Sequence, residues 1–355
     1  MIRDICPPTP LYLEPVDIIP HPFEGSYDAI TVFGGAASAL SIVVWRPGAT
    51  VPRTVVKAGE VENWLAGLAD HERVRCDRIL RHWRVAPAFP GLTGHGRNSP
   101  SLMGVVNLTN DSFFLDSTRP DAVAGIELGR QLYADGASIL DIGGQSTRPG
   151  SAIVAQAREL EAVLPVITAL ARQPACTLSI DTVRPCVAKA AVQAGASIVN
   201  DVSGMMPAEA LGETAGLVVG HMRGNPTTMQ KWPRSERGIF SLYDWLERRI
   251  STLEAAGISR NRIAVDPGFG FGKAVSHNHA VIRHLPILTG LGVAIVIGLS
   301  RKASLGYLSG AKLAADRLPA SLAAALAAAR LGATILRVHD VAATRQALQI
   351  SSIFR

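Results

Sequence analysis

One unit recurs eight times between Ser101 and the C-terminus: a short β-branched run, a polar or glycine-rich turn, then a stretch of helical pattern. The runs are Leu102–Asn107, Ser138–Gly143, Thr177–Asp181, Ser197–Asp201, Leu217–Met222, Ile263–Pro267, Ala294–Ser300 and Thr334–Asp340. Helix-like segments such as Asp121–Asp135, Ala155–Arg172, Arg184–Gly195, Leu242–Ala256 and Pro319–Leu331 separate them. Runs like Ala294-Ile295-Val296-Ile297 are apolar without alternation, the pattern of parallel strands covered on both faces. Strand and helix alternating over about 255 residues imply parallel pairing, and eight units close a barrel of the usual ~250-residue size. A hydrophobic content of 48% supplies its core. An open doubly wound sheet competes, but its GxGxxG turn after the first strand is absent. The expected fold is α/β: a (β/α)8 TIM barrel over residues 99–355, carrying a small N-terminal α/β appendage over residues 1–98.

The appendage does not join the repeat. Pro7, Pro8, Pro10, Pro15, Pro20 and Pro22 punctuate its start, strand-like runs follow at Ile30–Phe33 and Ser41–Trp45, and a helix is expected over Glu60–Arg75. Pro87–Pro100, rich in Pro, Gly and Asn, reads as a linker. No chemistry is visible in this region; it reads as a part that packs on the barrel or on a neighbouring subunit.

Several function classes are excluded or left without support. No apolar run reaches the ~18 residues of a membrane span, and the start of the chain has no signal-peptide core. Cys6, Cys76, Cys176 and Cys186 lack CxxC or metal-ligand spacing and read as reduced thiols of a cytoplasmic protein. The net charge of +6 comes from scattered basic residues with aromatics at only 5%, so an anionic small substrate explains its sign without nucleic acid.

Barrel enzymes build their sites where the strands end, and every strand here ends in a polar or ionisable group. They are Asn107; the stretch from Asp141 through Thr147 to Arg148; Asp181; Asn200 and Asp201; His221; Asp266 with Lys273; Ser300, Arg301 and Lys302; and Arg337, His339 and Asp340. A single such residue is ordinarily a cap or a solvated rim charge; eight of eight is not. Arg148, Lys302, Arg337 and His339 can converge on an anion, guanidinium by two parallel bonds and Lys as a point charge. Asn107 offers the hard oxygen that Mg²⁺ prefers beside phosphate oxygens and waters. Asp181, Asn200 and Asp266 can read the donor–acceptor edge of a polar heterocycle. Gly268, Gly270 and Gly272 either let backbone approach a flat ring or make a tight turn. His221 fits a core histidine as well as a site residue. The inferred substrate carries a pyrophosphate on one side and a heteroaromatic ring on the other.

The strings MGVVNLTNDSF, GASILDIGGQSTRPG, SIDTVRPCVAKAAVQAGASIVNDVSG, HMRGNPTTMQ, AVDPGFGFGK, GLSRK and ILRVHD, in this order, resemble the dihydropteroate synthases from Ser101 to about Leu348. The resemblance implies a (β/α)8 enzyme that joins 6-hydroxymethyl-7,8-dihydropterin pyrophosphate to p-aminobenzoate, giving 7,8-dihydropteroate and pyrophosphate. It implies a cytoplasmic homodimer and sulfonamide target that uses Mg²⁺ held by Asn107. Asp181, Asn200, Asp266, Phe271 and Lys302 would bind the pterin and Arg337 would stack on it. Asn107, Arg337 and His339 would bind pyrophosphate; Thr147, Arg148, Phe271 and Ser304 would bind the arylamine under the loop Thr109–Asp116. Asp181, Lys302 and Arg148 would carry catalysis, the C–O bond breaking before the amine attacks.

The chain departs from the family pattern in two places. The first loop has Asn110 for the usual Pro, no paired glycines, and Asp116 one place late. Gly220 stands where the family often has Met against the pterin, which leaves a gap for another group to fill. The loop motivates one alternative, a related synthase using a methanopterin-type arylamine. A pterin-binding methyl-transfer domain serving cobalamin is a second; the chain lacks a cobalamin domain with its DxHxxG string. The third, a non-catalytic pterin-binding partner subunit, predicts lost anion ligands, yet Asn107, Arg148, Lys302, Arg337 and His339 are all present.

Overall fold

The structure, a computed structural model, describes residues 10–20, 28–49, 52–92, 99–108, 122–145, 154–172, 176–222 and 238–354. The chain divides into two compact units, Met1–Ala86 with His284–Gly292, and Pro87–Arg283 with Val293–Arg355. The division falls at Ala86 rather than at residue 98, and a nine-residue segment from late in the chain joins the first unit.

The first unit is an antiparallel sheet of β1 (Tyr12–Pro20), β2 (Ile30–Val32), β3 (Ala37–Trp45) and β4 (Arg53–Lys57). β3 is central, with β1 along one side and β2 and β4 along the other. The expected helix over Glu60–Arg75 is instead two, α1 (Val61–Ala66) and α2 (Asp70–Arg84). Gly67 ends the first, and Ala69, in extended conformation, starts the second, whose first turn carries Asp70 and Glu72 against the positive end of the helix dipole. On α2, Cys76, Ile79, Leu80 and Trp83 form a buried stripe packed with Leu11, Leu13, Val32 and Ile42. His284–Gly292 belongs here because its apolar residues Leu285, Ile287, Leu288 and Leu291 are buried and its polar groups are matched. The buried Glu14 carboxylate accepts from Trp45 Nε1 (2.8 Å) and pairs with His284 Nδ1 (2.9 Å), and His82 Nδ1 lies 2.8 Å from the Gly290 carbonyl oxygen.

The second unit is a closed barrel of eight parallel strands. They are β5 (Ser101–Asn107), β6 (Ile139–Gly143), β7 (Thr177–Asp181), β8 (Ile198–Asp201), β9 (Gly216–Gly220), β10 (Ile263–Asp266), β11 (Ala294–Ile297) and β12 (Ile335–Val338). Around them run α3 (Ala122–Ala134), α4 (Gln156–Leu170), α5 (Pro185–Gln193), α6 (Gly238–Ala255), α7 (Val275–Arg283), α8 (Ala303–Ser309), α9 (Leu318–Arg330) and α10 (Val341–Ile353). The eight strands follow the sequence expectation, with several ending two or three residues early. Between β8 and β9 a 3-10 turn, Ala208–Leu211, replaces a full helix.

Strand residues two apart face the same side, so each strand stacks its inward side chains in layers. The lower interior is apolar: Met103, Ile139, Ile198, Val218, Ala264, Ala294, Val296 and Ile335. Phe89, inside the stretch expected to be a linker, is 6% exposed and packs into this cluster at its N-terminal end. Burying such a ring contributes about 2 kcal/mol, which is why Pro87–Leu92 belongs with the barrel. Among the described residues no helix is long and apolar enough to cross a membrane.

Candidate active site

Polar residues replace apolar ones toward the C-terminal end of the strands. Strand register sets Asn107, Gly143, Asp181 and Asn200 side by side on β5 to β8. Asp141 and Ser179 pair one inward step lower. A Cβ on Gly143 would lie 3.5 Å from both Asn107 Oδ1 and Asp181 Cβ, so this glycine leaves the amide and the carboxylate flanking one open space.

Arg337, an inward residue of β12, ties this layer together. Its Nε donates to Asp141 Oδ2 (2.6 Å) and its Nη2 to Asp181 Oδ2 (2.7 Å). Asp141 also accepts from Asn200 Nδ2 (3.0 Å) and Ser179 Oγ (2.6 Å) and is fully buried. Sequence reasoning counted Asp141 at its strand end but gave it no role, yet it links Asn200, Arg337 and Ser179. A carboxylate inside an apolar strand covered on both faces needs such partners, and that mismatch was the available signal.

The charges shift one another. Burial pushes the Asp181 carboxyl up to about 7; Arg337 opposes the shift, while Asp141, Glu159 and Asp201 add to it. Burial pulls Lys302 down to about 8, offset by Asp266 and deepened by Arg337. For Arg337, burial disfavours the charge, but Asp141 and Asp181 outweigh it and hold the guanidinium protonated. Three carboxylates (Asp141, Asp181, Asp266) therefore meet two cations (Lys302, Arg337), and when all are ionised the floor of the site carries one net negative charge.

On the opposite wall, the Asp266–Lys273 turn and Lys302 form a second cluster. Lys302 Nζ donates to the Phe269 carbonyl and lies 4.7 Å from the centroid of the Phe271 ring, in reach of its negative face. Asp266 Oδ1 accepts from Gly268 N (2.7 Å), closing the turn as an Asx cap. Gly268 has φ +67°, and a Cβ there would fall 2.0 Å from the His221 carbonyl oxygen, so only glycine fits. The glycine run thus serves the turn itself.

Lys302 follows Arg301, whose φ of +57° is left-handed. Arg301 holds that conformation by donating from Nε (2.8 Å) and Nη2 (2.6 Å) to Asp340 at the start of α10. A left-handed non-glycine costs on the order of 1 kcal/mol, and the bidentate pair offsets it. The pair fixes the turn that aims Lys302, a role sequence alone did not assign to Arg301 or Asp340. His339 bonds Ser300 through Nδ1 (3.0 Å) and its main-chain N (3.2 Å). Ser304 Oγ, on α8, is buried without a hydrogen-bond partner.

The group that fills the gap at Gly220 is main chain. A Cβ on Gly220 would lie 2.5 Å from Val202 Cα and 2.7 Å from the Asp201 carbonyl oxygen, so neighbouring backbone fills the space. Next to it His221 packs edge-on against Trp245, centroids 4.9 Å apart. Thr147, Arg148 and the loop Thr109–Asp116 lie outside the described residues. Among the described residues, no three His, Cys, Asp or Glu side chains form a metal-holding group.

Comparison with known proteins places this geometry. A family model described as pterin binding enzyme matches residues 103–339. Dihydropteroate synthase of Escherichia coli (strain K12) is 37% identical over 255 residues, covering 71% of this chain and 90% of the relative. The solved structure of Xanthomonas albilineans dihydropteroate synthase with 4-aminobenzoic acid superposes with a TM-score of 0.68 at 42% identity, covering 72% of this chain and 93% of that one. Burkholderia cenocepacia dihydropteroate synthase complexed with 7,8-dihydropteroate also gives 0.68, at 40% identity over 76% of this chain and 96% of that one.

Proposed function

The chain belongs to the dihydropteroate synthase family of pterin-binding enzymes, and on that premise we propose that it condenses 6-hydroxymethyl-7,8-dihydropterin pyrophosphate with p-aminobenzoate. The products are 7,8-dihydropteroate and pyrophosphate. The observation that carries the reading is the Asp141–Arg337–Asp181 triad with Asn200 beside it. It offers acceptors and donors to the edge of a polar ring on a floor with net negative charge.

The C–O bond from the pterin methylene to the pyrophosphate breaks, its electron pair leaving on oxygen. A cation delocalised into the pterin remains, which Asp181 and the floor charge stabilise. The p-aminobenzoate nitrogen then forms the C–N bond with its lone pair and gives up a proton to solvent. Both substrates held in line make this step effectively intramolecular.

Asp181, Asn200, Asp266, Phe271 and Lys302 bind the pterin in this reading, with Arg337 against it. Arg337 spends Nε and Nη2 on carboxylates, which leaves Nη1 for an anion. Asn107, Arg337 and His339 take the pyrophosphate. Thr147, Arg148, Phe271 and Ser304 take the arylamine, and the unpaired hydroxyl of Ser304 supports that assignment. Arg148 joins Asp181 and Lys302 in catalysis. Asn107 provides one hard oxygen beside the open space at Gly143, which fits Mg²⁺ completed by phosphate oxygens and water. Bound there, Mg²⁺ would neutralise charge on the departing pyrophosphate.

The enzyme works as a cytoplasmic homodimer in this proposal. The exposed Tyr307, Leu308 and Leu313, and Ile350, Ile353 and Phe354, lie around helices α8 to α10, apolar surface suited to a partner copy. Cys76, Cys176 and Cys186 are free thiols, as a reducing compartment requires. Competition between p-aminobenzoate and a ribofuranosyl-aminobenzene phosphate, read as pterin adducts by mass, tests the substrate. Preference for the phosphorylated amine would refute it.

A further inference from the structure

Lys273 lies seven residues beyond Asp266, with its ammonium buried beneath the glycine turn. It donates to three main-chain carbonyls: His221 (2.8 Å), Gly268 (2.9 Å) and Phe271 (3.3 Å). Two of these lie within the turn and one follows β9, so a single charge gathers the C-terminal ends of neighbouring strands. Asn278, buried on α7, completes the brace. Its Oδ1 accepts from Gly270 N (2.7 Å) and its Nδ2 donates to the Lys273 carbonyl (3.2 Å).

The braced stretch holds three glycines in left-handed conformation, at φ of +67°, +84° and +64° for Gly268, Gly270 and Gly272. Glycine fixes its own shape poorly, so such a turn takes its geometry from what it bonds to. Its carbonyls divide between two lysines. Gly268 and Phe271 give theirs to Lys273, while Phe269 gives its own to Lys302. Lys302 also meets the Phe271 ring and the charges of Asp266, Arg337 and Asp181. A change in the shape of the turn therefore moves what Lys302 and Phe271 can touch.

We propose that Lys273, together with Asn278, is a positioning residue, fixing the Asp266–Gly272 turn so that Lys302 and Phe271 stand where the bound ring needs them. Its catalytic consequence rests on the reaction proposed above; its structural part does not. Lys273→Met keeps most of the length of the side chain and removes the three donors, and Asn278→Ala removes the second half of the brace.

The test uses full-length protein carrying ε-¹³C-lysine. The chain has six lysines, so each titration can be followed separately, with Lys302 assigned by its absence in Lys302→Ala. Calorimetry with 6-hydroxymethylpterin reads binding without turnover. In folded Lys273→Met and in Asn278→Ala, the Lys302 titration moves up from about 8 toward the ordinary lysine range as the turn loosens and water enters. The Kd for 6-hydroxymethylpterin rises at least fivefold, and kcat falls beyond any loss of folded fraction. Folded variants with unchanged Lys302 titration and unchanged Kd overturn the proposal. So does failure of both variants to fold, since Lys273 would then serve stability alone. Should wild type bind the pterin yet not turn over, the reaction falls while the titration still decides the role of Lys273.

Discussion

Replacing Asp141 by asparagine removes one charge from the floor of the barrel and keeps its shape. The carboxylate accepts three hydrogen bonds, from Ser179 Oγ, Asn200 Nδ2 and Arg337 Nε. An asparagine oxygen can still accept from Asn200 and Arg337, and its amide can donate to Ser179, whose hydroxyl rotates. What is lost is charge on one side of a guanidinium that keeps Asp181 on the other. Breaking a buried ion pair outright costs about 3–5 kcal/mol, and a charged hydrogen bond exceeds a neutral one by about 1–2. Asp141→Asn should therefore cost about 2 kcal/mol. Asp141→Ala, which strands Arg337 Nε and Asn200 Nδ2 in a buried site, should cost at least twice that. At about 2–4 °C per kcal/mol for a domain of this size, the melting transition of the barrel falls by about 4–8 °C in the first variant and by more than 8 °C in the second. Asp141 also raises Asp181, so in Asp141→Asn the acid limb of the pH profile moves below about 7. Scanning calorimetry and the pH dependence of kcat/KM read both effects. Equal losses in the two variants, or an acid limb that stays in place, would refute the hydrogen-bond reasoning.

For wild type, kcat/KM should rise as Asp181 loses its proton near 7 and fall as Lys302 loses its own near 8, giving a narrow bell between them; a flat profile from about 6 to 9 contradicts the two assigned roles. Asp181 holds its proton more tightly folded than unfolded, so its contribution to stability is full below 3.8 and is lost as the pH rises through about 7. Asp181→Asn should gain stability relative to wild type across that window, and a stability difference that does not change with pH speaks against a raised carboxyl. Gly268→Ala forces a Cβ against the His221 carbonyl oxygen in a left-handed conformation, so it should cost activity at least tenfold and lower the melting point; wild-type kinetics would mean that the turn is not tight. Glu14→Gln removes the charge that His284 and Trp45 share, and should lower the free energy of unfolding of the first unit, read by urea titration, by about 1–3 kcal/mol while leaving kcat unchanged.

The barrel was legible because its period is built from local pattern: eight apolar runs, each followed by a turn and a helix. Asp181, Asn200, Lys302 and Arg337 stood out in the sequence because they lie at or just beyond strand ends, where polar groups interrupt the apolar runs. Asp141 was not chosen because it sits one inward step lower, where a single acid in Leu140-Asp141-Ile142 reads as part of a strand. Its partners come from three other strands, and no local pattern brings them together. In the first unit β1 was hidden by Pro15 and Pro20, which an edge strand tolerates because one row of its amides needs no ladder partner. The break between α1 and α2 lay in a single Gly67 within an otherwise helical pattern. Nothing near His284 tells that its ring pairs with Glu14, 270 residues away. Lys273 was counted at its strand end without a role, because its three acceptors are main-chain carbonyls, which carry no sequence signature.

The central claim is that one site brings together a pterin pyrophosphate and an arylamine and joins them. Full-length protein with Mg²⁺, 6-hydroxymethyl-7,8-dihydropterin pyrophosphate and p-aminobenzoate should release pyrophosphate and form 7,8-dihydropteroate in equal amounts. Lys302→Ala, folded to the same extent, should lose at least a hundredfold in that rate, in line with removal of a preorganised charged donor. Pyrophosphate released without dihydropteroate, or no turnover by the wild-type chain, would contradict it.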